Sequence, residues 1–445
     1  MNRTYIRQIA MLGFACLSMM TQAIDNNHFY RASNFFPIFH EPRLAREWLG
    51  SLDIFVEGGS TSTSKAGGCT NAFICHPCTG LLDTCGFYNM KNLGLDLPNQ
   101  DLSNPVYLVL NNLAQLPDRD YFGQLSYSGQ FSIFETDLFI TQNFNRGLFI
   151  QFHMPFRKLD ISCVKHTDLS PTDNQYPNIN TPEWQAFLNL YPTILSEFNL
   201  SAGSTRSNGA GDTTVLLGWT CNYENTEILD FVDVSLRLGI LFPTGTIANP
   251  AQAFSLPTGY NGHLGIPITF DMALGTYDWL SVGLHLGVLS FIDKTSTIRV
   301  KTSNQQQGLI KLQTVTAPIA QGLLWDAVGY IKADHVCAGL SALFGFTYTN
   351  KEPSFIKLDE RDCCPAQVID PCFTLNSCID ACDLTYGSWK MGTLHFMAEY
   401  DFYRTCPESV TPRLGVFYNL PVGGKRIFMT GIGGGSAGID IALSF

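Results

Sequence analysis

Three sets of side chains in this chain of 445 residues are of types that do chemistry. His153, His263, His285 and His395 each alternate with apolar neighbours, which puts them on the polar face of extended segments. A hydrolase would need one of them beside a nucleophilic serine and an orienting acid. No local Ser/His motif accompanies any of the four, so a pore-lining or wall hydrogen-bonding role is the expectation and no catalytic residue is assigned.

The second set is cysteine. Cys69, Cys75, Cys78 and Cys85 share one segment; Cys363, Cys364, Cys372, Cys378 and Cys382 share another. Cys75-His76-Pro77-Cys78 has the C-x-x-C spacing of zinc ligands. No second regular pair completes a tetrad, so disulfide stapling of long exposed loops is expected, with the pairing open and no metal or cofactor. Cys163, Cys221, Cys337 and Cys406 stand apart. An odd total after loss of the leader described below implies a free thiol, or one that links a neighbour or a second copy.

The third set is charge. Asp53, Glu57, Glu135, Asp137, Asp233, Asp271, Glu399, Asp401 and Asp440 fall on polar strand faces, against Arg157, Arg237, Lys332 and Arg413. Arg299, Lys301 and Lys311 complete a set of seven facing bases if the parity holds, but they come from the 292–321 loop and need not line the pore. Carboxylate rings favour cations, and paired charges hold a wall in shape; the excess of acids predicts a modest cation preference.

The elements that position these groups are strands. Val232, Val234, Leu236, Leu238, Ile240 and Phe242 share one face, opposite Asp233, Ser235, Arg237 and Gly239. Leu264 to Leu274 and Val336 to Tyr348 repeat the pattern, as do 280–288, 148–156, 394–402 and 414–420. Such strands suit a soluble sandwich or a membrane barrel. Three features favour the barrel. The strands reach the 9–11 residues of a tilted bilayer crossing. The opposite face is rich in Gly, Ser and charge. Trp219, Tyr223, Trp279, Trp325, Trp389 and Tyr403 gather near strand ends, as interfacial girdles do.

Composition agrees. Charged residues make up 15% of the chain, below the roughly 25% of soluble domains, and the net charge of −11 disfavours a nucleic-acid partner. Residues 1–23 read as a cleaved secretory signal, with Arg3 and Arg7, an apolar Ile9–Met20 and Thr21-Gln-Ala23. No later stretch is long and apolar enough for a membrane helix. Residues 24–50 form a periplasmic segment or plug, and 51–445 the barrel.

Twelve strands (range 10–16) are expected, near 51–58, 129–142, 147–157, 213–223, 228–242, 264–274, 279–291, 322–332, 336–349, 388–403, 411–430 and 436–445. Short turns alternate with mostly long loops. Two helices are expected outside the wall, Val106–Leu116 and one from Thr181-Pro182-Glu183 to Phe198, disturbed at Pro192. Either folds into the lumen or packs on the outer rim.

The final strand places Ile439, Ile441, Leu443 and the terminal Phe445 on one face. This resembles the C-terminal strand of Gram-negative outer-membrane β-barrels. The resemblance covers ten residues and implies recognition of Phe445 by the barrel-assembly machinery. The plug signature of the long-chain fatty-acid transporters is missing, and no stretch diagnostic of the chlamydial major porins is present. The resulting expectation is an all-β, antiparallel transmembrane barrel in outer-membrane lipid, a porin-like passive channel for small solutes lined by Asp53, Glu57, Glu135, Asp137, His153, Arg157, Asp233, Arg237, Asp271, His285, His395, Glu399 and Asp401. The alternative is a plugged structural or adhesive surface protein with disulfide-stapled loops.

Overall fold

The computed structural model describes residues 49–65, 81–83, 85, 87–90, 93, 102–115, 123–168, 181–224, 229–277, 279–300, 310–337, 339–357, 373–374, 379–380, 388–402 and 410–442. The leader, residues 24–48, Tyr403, Phe445 and the expected disulfide cysteines other than Cys85 lie outside these. Twelve of the described strands close into one antiparallel barrel. They are β1 (Leu49–Thr61), β2 (Gln124–Asn143), β3 (Leu148–Asp168), β4 (Thr213–Glu224), β5 (Phe231–Phe242), β6 (Gly265–Tyr277), β7 (Leu280–Phe291), β8 (Leu324–Cys337), β9 (Leu340–Lys351), β10 (Trp389–Asp401), β11 (Val410–Lys425) and β12 (Ile432–Ala442). Each pairs with its sequence neighbour, and β1 meets β12 from Leu49↔Ala442 to Gly58↔Gly433. All twelve expected strands are present, with shifted ends; β1 begins two residues early.

Period-two alternation sets the wall. Leu236, Leu238 and Ile240 on β5 are exposed while Ser235 and Arg237 are buried. The same parity turns Ile54, Ile150, Ile268, Val282, Phe344 and Val416 outward. This outward skin is what a lipid-embedded barrel requires. At the short-turn end Trp219, Tyr223, Tyr277 and Trp279 face out, with Tyr277 and Trp279 stacked at 5.9 Å. Trp325 packs on Tyr348 at the other end, 5.5 Å between ring centres. Trp389 departs from the expected girdle. It is 2% exposed and sits inside the outer end with Leu241, Leu289, Leu324, Met391 and Ile427. An aromatic at a strand end marks an interface only when it lies on the outward parity.

Tight turns need positive φ. In the β2–β3 turn Arg146 and Gly147 adopt φ 59° and 77°, and a Cβ on Gly147 would stand 2.0 Å from the Thr220 carbonyl oxygen. Inward glycines leave room for the rings of neighbouring strands. A Cβ on Gly218 would strike the Phe149 ring at 2.1 Å, and one on Gly283 the Tyr330 ring at 1.9 Å. Here a neighbouring strand's ring occupies the space that glycine leaves.

β2 and β3 run beyond the expected 129–142 and 147–157 into the outer region. Their extra length crosses a register shift at Ser128/Gln130, where Cys163 takes φ 54°. Two helices pack against these extensions. Helix α1 (Pro105–Ala114) is capped by Asn104, and α2 (Pro182–Glu197) by Thr181. Contrary to expectation, α2 runs straight through Pro192. No described helix is long and apolar enough to cross a membrane.

Replacing Leu236 with Arg, at the middle of the lipid-facing side of β5, is expected to cost about 2–4 kcal/mol. Guanidinium unfolding of the barrel in lipid vesicles measures it.

Candidate functional site

The interior is built in layers. At the outer end α1 and α2 pack on each other and on inward side chains of β2 and β3. Val106, Leu110, Leu113, Trp184, Phe187, Tyr191 and Ile194 join Leu125, Tyr127, Phe131, Ile133, Leu159 and Ile161 in one apolar cluster, with Cys85 buried among them. The helices therefore follow the first of the two expected arrangements and narrow the outer mouth from within. The segment between β5 and β6 also turns inward, with residues 253–259 continuously buried.

That inward loop is tied by polar contacts which no sequence pattern announced. Asp212 accepts hydrogen bonds from the backbone amides of Gly245 (2.8 Å) and Tyr260 (2.5 Å). Thr246 and Thr258 exchange backbone-to-hydroxyl bonds, and Arg157 donates to the Thr258 carbonyl. Burial raises the Asp212 pKa; the two amides and the charges of Arg157 and Lys294 pull the other way.

Below this cap lies a belt of charge. Arg157 donates through Nε to Glu135 at 2.7 Å, and His153 Nε2 is 3.2 Å from Asp137. Glu57, Glu135 and Asp137 bring one carboxylate oxygen each within 4.8 Å of one another. These are hard oxygen donors of the kind calcium takes, and Arg157 and His153 meet two of the three charges. On β5 to β8, Asp271 is bonded by Arg237 and lies 2.5 Å from His285 Nδ1, whose Nε2 is 3.6 Å from Asp326. A third group joins the ends of the barrel: Arg413 donates to Asp53 at 2.7 Å and Asp440 at 3.0 Å, with Glu399 at 4.0 Å. His395 lies between Thr347 (2.6 Å) and Asn419 (2.8 Å).

Each of the thirteen residues expected to line the pore is on an inward-facing strand position, and the registers bring most of them together in clusters spanning two to four strands. Asp401 sits at the short-turn end with His335 at 3.3 Å, and Asp233 near the same end. His263 is elsewhere: it is buried at the outer end, its Nδ1 3.0 Å from the Ile292 carbonyl. Arg299 leaves the interior set. Its guanidinium binds the carbonyls of Phe198, Asn199, Pro250, Lys311 and Leu312. Asp326 was missed, although the parity that selects Lys332 selects it too. Also missed was an apolar inward patch of Phe55, Val328, Tyr330, Leu343, Met397 and Phe417, with Phe139 beside it. These residues lie among apolar neighbours on both faces, so alternation gave no warning.

Cys163 is exposed and Cys221 half-buried, and neither forms a disulfide among the described residues.

Fold and interior together define a closed twelve-stranded antiparallel barrel, apolar on its outer face and with ion clusters on its inner one. No protein-family model matches the sequence, and no curated protein does. Among solved structures, the chain is similar to an outer membrane channel from Pseudomonas putida F1, at 12% identity over 91% of this chain and 99% of that one, TM-score 0.43. It is also similar to a FadL homologue of Pseudomonas aeruginosa (8% identity, 96% and 99% covered, TM-score 0.32) and to the NanC porin (10%, 70% and 94%, TM-score 0.29). At such values the likeness carries no functional assignment.

Two outcomes follow from these clusters. Asp271→Asn leaves Arg237 and His285 facing a weaker partner in a buried site and is expected to cost about 3–5 kcal/mol; adding Arg237→Gln recovers most of it in a double-mutant cycle read by guanidinium unfolding. At Asp212 the raised pKa means that the folded chain holds the proton more tightly than the unfolded one. Its contribution to stability is therefore greatest below the ordinary carboxylate range and falls as pH rises through the raised value. Asp212→Asn should flatten that slope between acidic and neutral pH.

Proposed function

We propose that this barrel is a passive channel for small solutes in the outer membrane of a Gram-negative-type bacterium. It is exported through its leader and inserted by the barrel-assembly machinery. One observation carries the channel reading. The inward strand faces carry ionisable side chains around the barrel, among them Asp53, Glu135, Asp137, Arg157, Arg237, Asp271 and Arg413. A lining of this kind suits a hydrated lumen better than a packed apolar core. The excess of inward acids over Arg157, Arg237, Lys332 and Arg413 supports a preference for cations. The apolar cap over β2 and β3 supports a second reading, in which the mouth is closed and the protein is structural or adhesive, its loops stapled by the cysteines beyond the described residues.

Planar-bilayer recording of the refolded protein under a salt gradient tests both. Discrete conductance steps with a cation-positive reversal potential are expected, and Glu57→Gln with Glu399→Gln should move that potential toward zero. A correctly folded barrel that stays silent would establish the closed reading instead.

A further inference from the structure

On the side of β3 the lipid-facing skin ends in a charged group that the barrel interior does not use. Along β3 the outward positions are apolar from Leu148 through Ile150 to Phe156, and the next outward position is Lys158. Leu148 lies opposite Trp219 of the short-turn girdle. At about 3.3 Å per residue and the usual strand tilt, the stretch from Leu148 to Phe156 covers roughly 20 Å of bilayer, close to the about 25 Å of an apolar band. Lys158 therefore stands at the outer border of the hydrocarbon.

Register builds a patch around it, because residues directly opposite each other on neighbouring strands share a face. Lys158 is opposite Phe134 of β2 and Asn208 of the short strand Thr205–Ala210; Asp160 is opposite Ser132 and Arg206. The Lys158 and Arg206 side chains are 50% and 66% exposed, and Phe134 is exposed beside them. Arg206 donates through Nε to Asp160 at 2.6 Å, and Lys158 Nζ is 3.5 Å from the other carboxylate oxygen. The strand carrying Arg206 is anchored inside the barrel, where the Thr205 hydroxyl donates to the Phe254 carbonyl at 2.9 Å.

The chemistry of the patch selects the ligand. Two cations share one carboxylate, so the group carries a net positive charge. Among the described residues Arg206 commits one nitrogen, Nε, to Asp160. That bond holds the guanidinium in place and leaves its Nη groups for a second oxyanion, and a planar fork of this kind matches phosphate. The Lys158 stem lies along the apolar border with its ammonium in the polar layer. Phe134 and Phe156 face the acyl chains just inside that border, so an anion that brings its own hydrocarbon answers both the charge and the rings. We propose that this patch binds the headgroup phosphate of an anionic lipid in the outer leaflet. The proposal rests on the reading of the chain as a membrane barrel and is independent of whether the barrel conducts.

The test is native mass spectrometry of the full-length barrel in detergent micelles, titrated with dioctanoyl phosphatidic acid, phosphatidylglycerol and phosphatidylcholine, and with inorganic phosphate. Saturable binding of a first phosphatidic acid is expected, at least tenfold tighter than that of phosphatidylcholine. Arg206→Gln weakens it tenfold or more, and Arg206→Lys weakens it less. Lys357→Gln, which removes the same charge from an exposed ion pair elsewhere at the outer end, leaves it unchanged. Both side chains are exposed, and heat-modifiable gel mobility confirms that each variant is folded. The proposal is overturned if acidic lipid is not preferred, if Arg206→Gln and Lys357→Gln act alike, or if inorganic phosphate displaces the lipid at equal concentration. Flotation of the parent with phosphatidylcholine vesicles separates the two readings: a barrel that inserts without lipid preference loses this site alone, and one that does not insert loses the membrane reading with it.

Discussion

Closure of β1 on β12 is the contact on which the rest of the molecule depends. Hydrocarbon offers no hydrogen-bond partner, so an open sheet edge in a bilayer leaves a row of N–H and C=O groups unsatisfied at several kcal/mol each. The register from Leu49↔Ala442 to Gly58↔Gly433 removes both edges at once. It also brings Asp53, near one end of the chain, to Arg413 and Asp440, near the other. The ion cluster at the seam therefore joins three strands that are far apart in sequence or meet only when the barrel closes.

Once the wall is closed, the alternation that makes the outside apolar forces the other half of each strand into a confined interior. Small side chains, rings laid over glycine, and charges that neutralise one another are the ways this interior is filled. Phe149 over Gly218 and Tyr330 over Gly283 show the second; Arg237 with Asp271 and His285 shows the third. The interior is thus uneven, with ion clusters on β1–β3, β5–β8 and β10–β12 and the apolar patch of Val328, Tyr330, Leu343 and Met397 among them on β8–β10.

The outer end follows different rules. There the inward side chains of β2 and β3 are apolar because they face helices, and α1 and α2 bury their stripes against them. Arg299, which charge counting alone would place with the pore, is instead the clamp that joins α2's exit to the neighbouring loops through five backbone carbonyls. Its role depends on carbonyls gathered from three separate segments.

Alternation and turn spacing made the architecture legible. A period of two leaves a strand no choice of face once one side must meet lipid, so twelve strands, their inward acids, three of the four histidines and the cap at Thr181 could be read along the chain. Partnership was not legible. Which acid meets Arg157, why Trp389 turns inward, how Asp212 ties the loop carrying Thr258, and where Tyr127 meets Tyr191 all depend on register, barrel curvature and loops returning across long sequence separations. Local pattern determines which way a side chain points; only closure in three dimensions decides what it finds there.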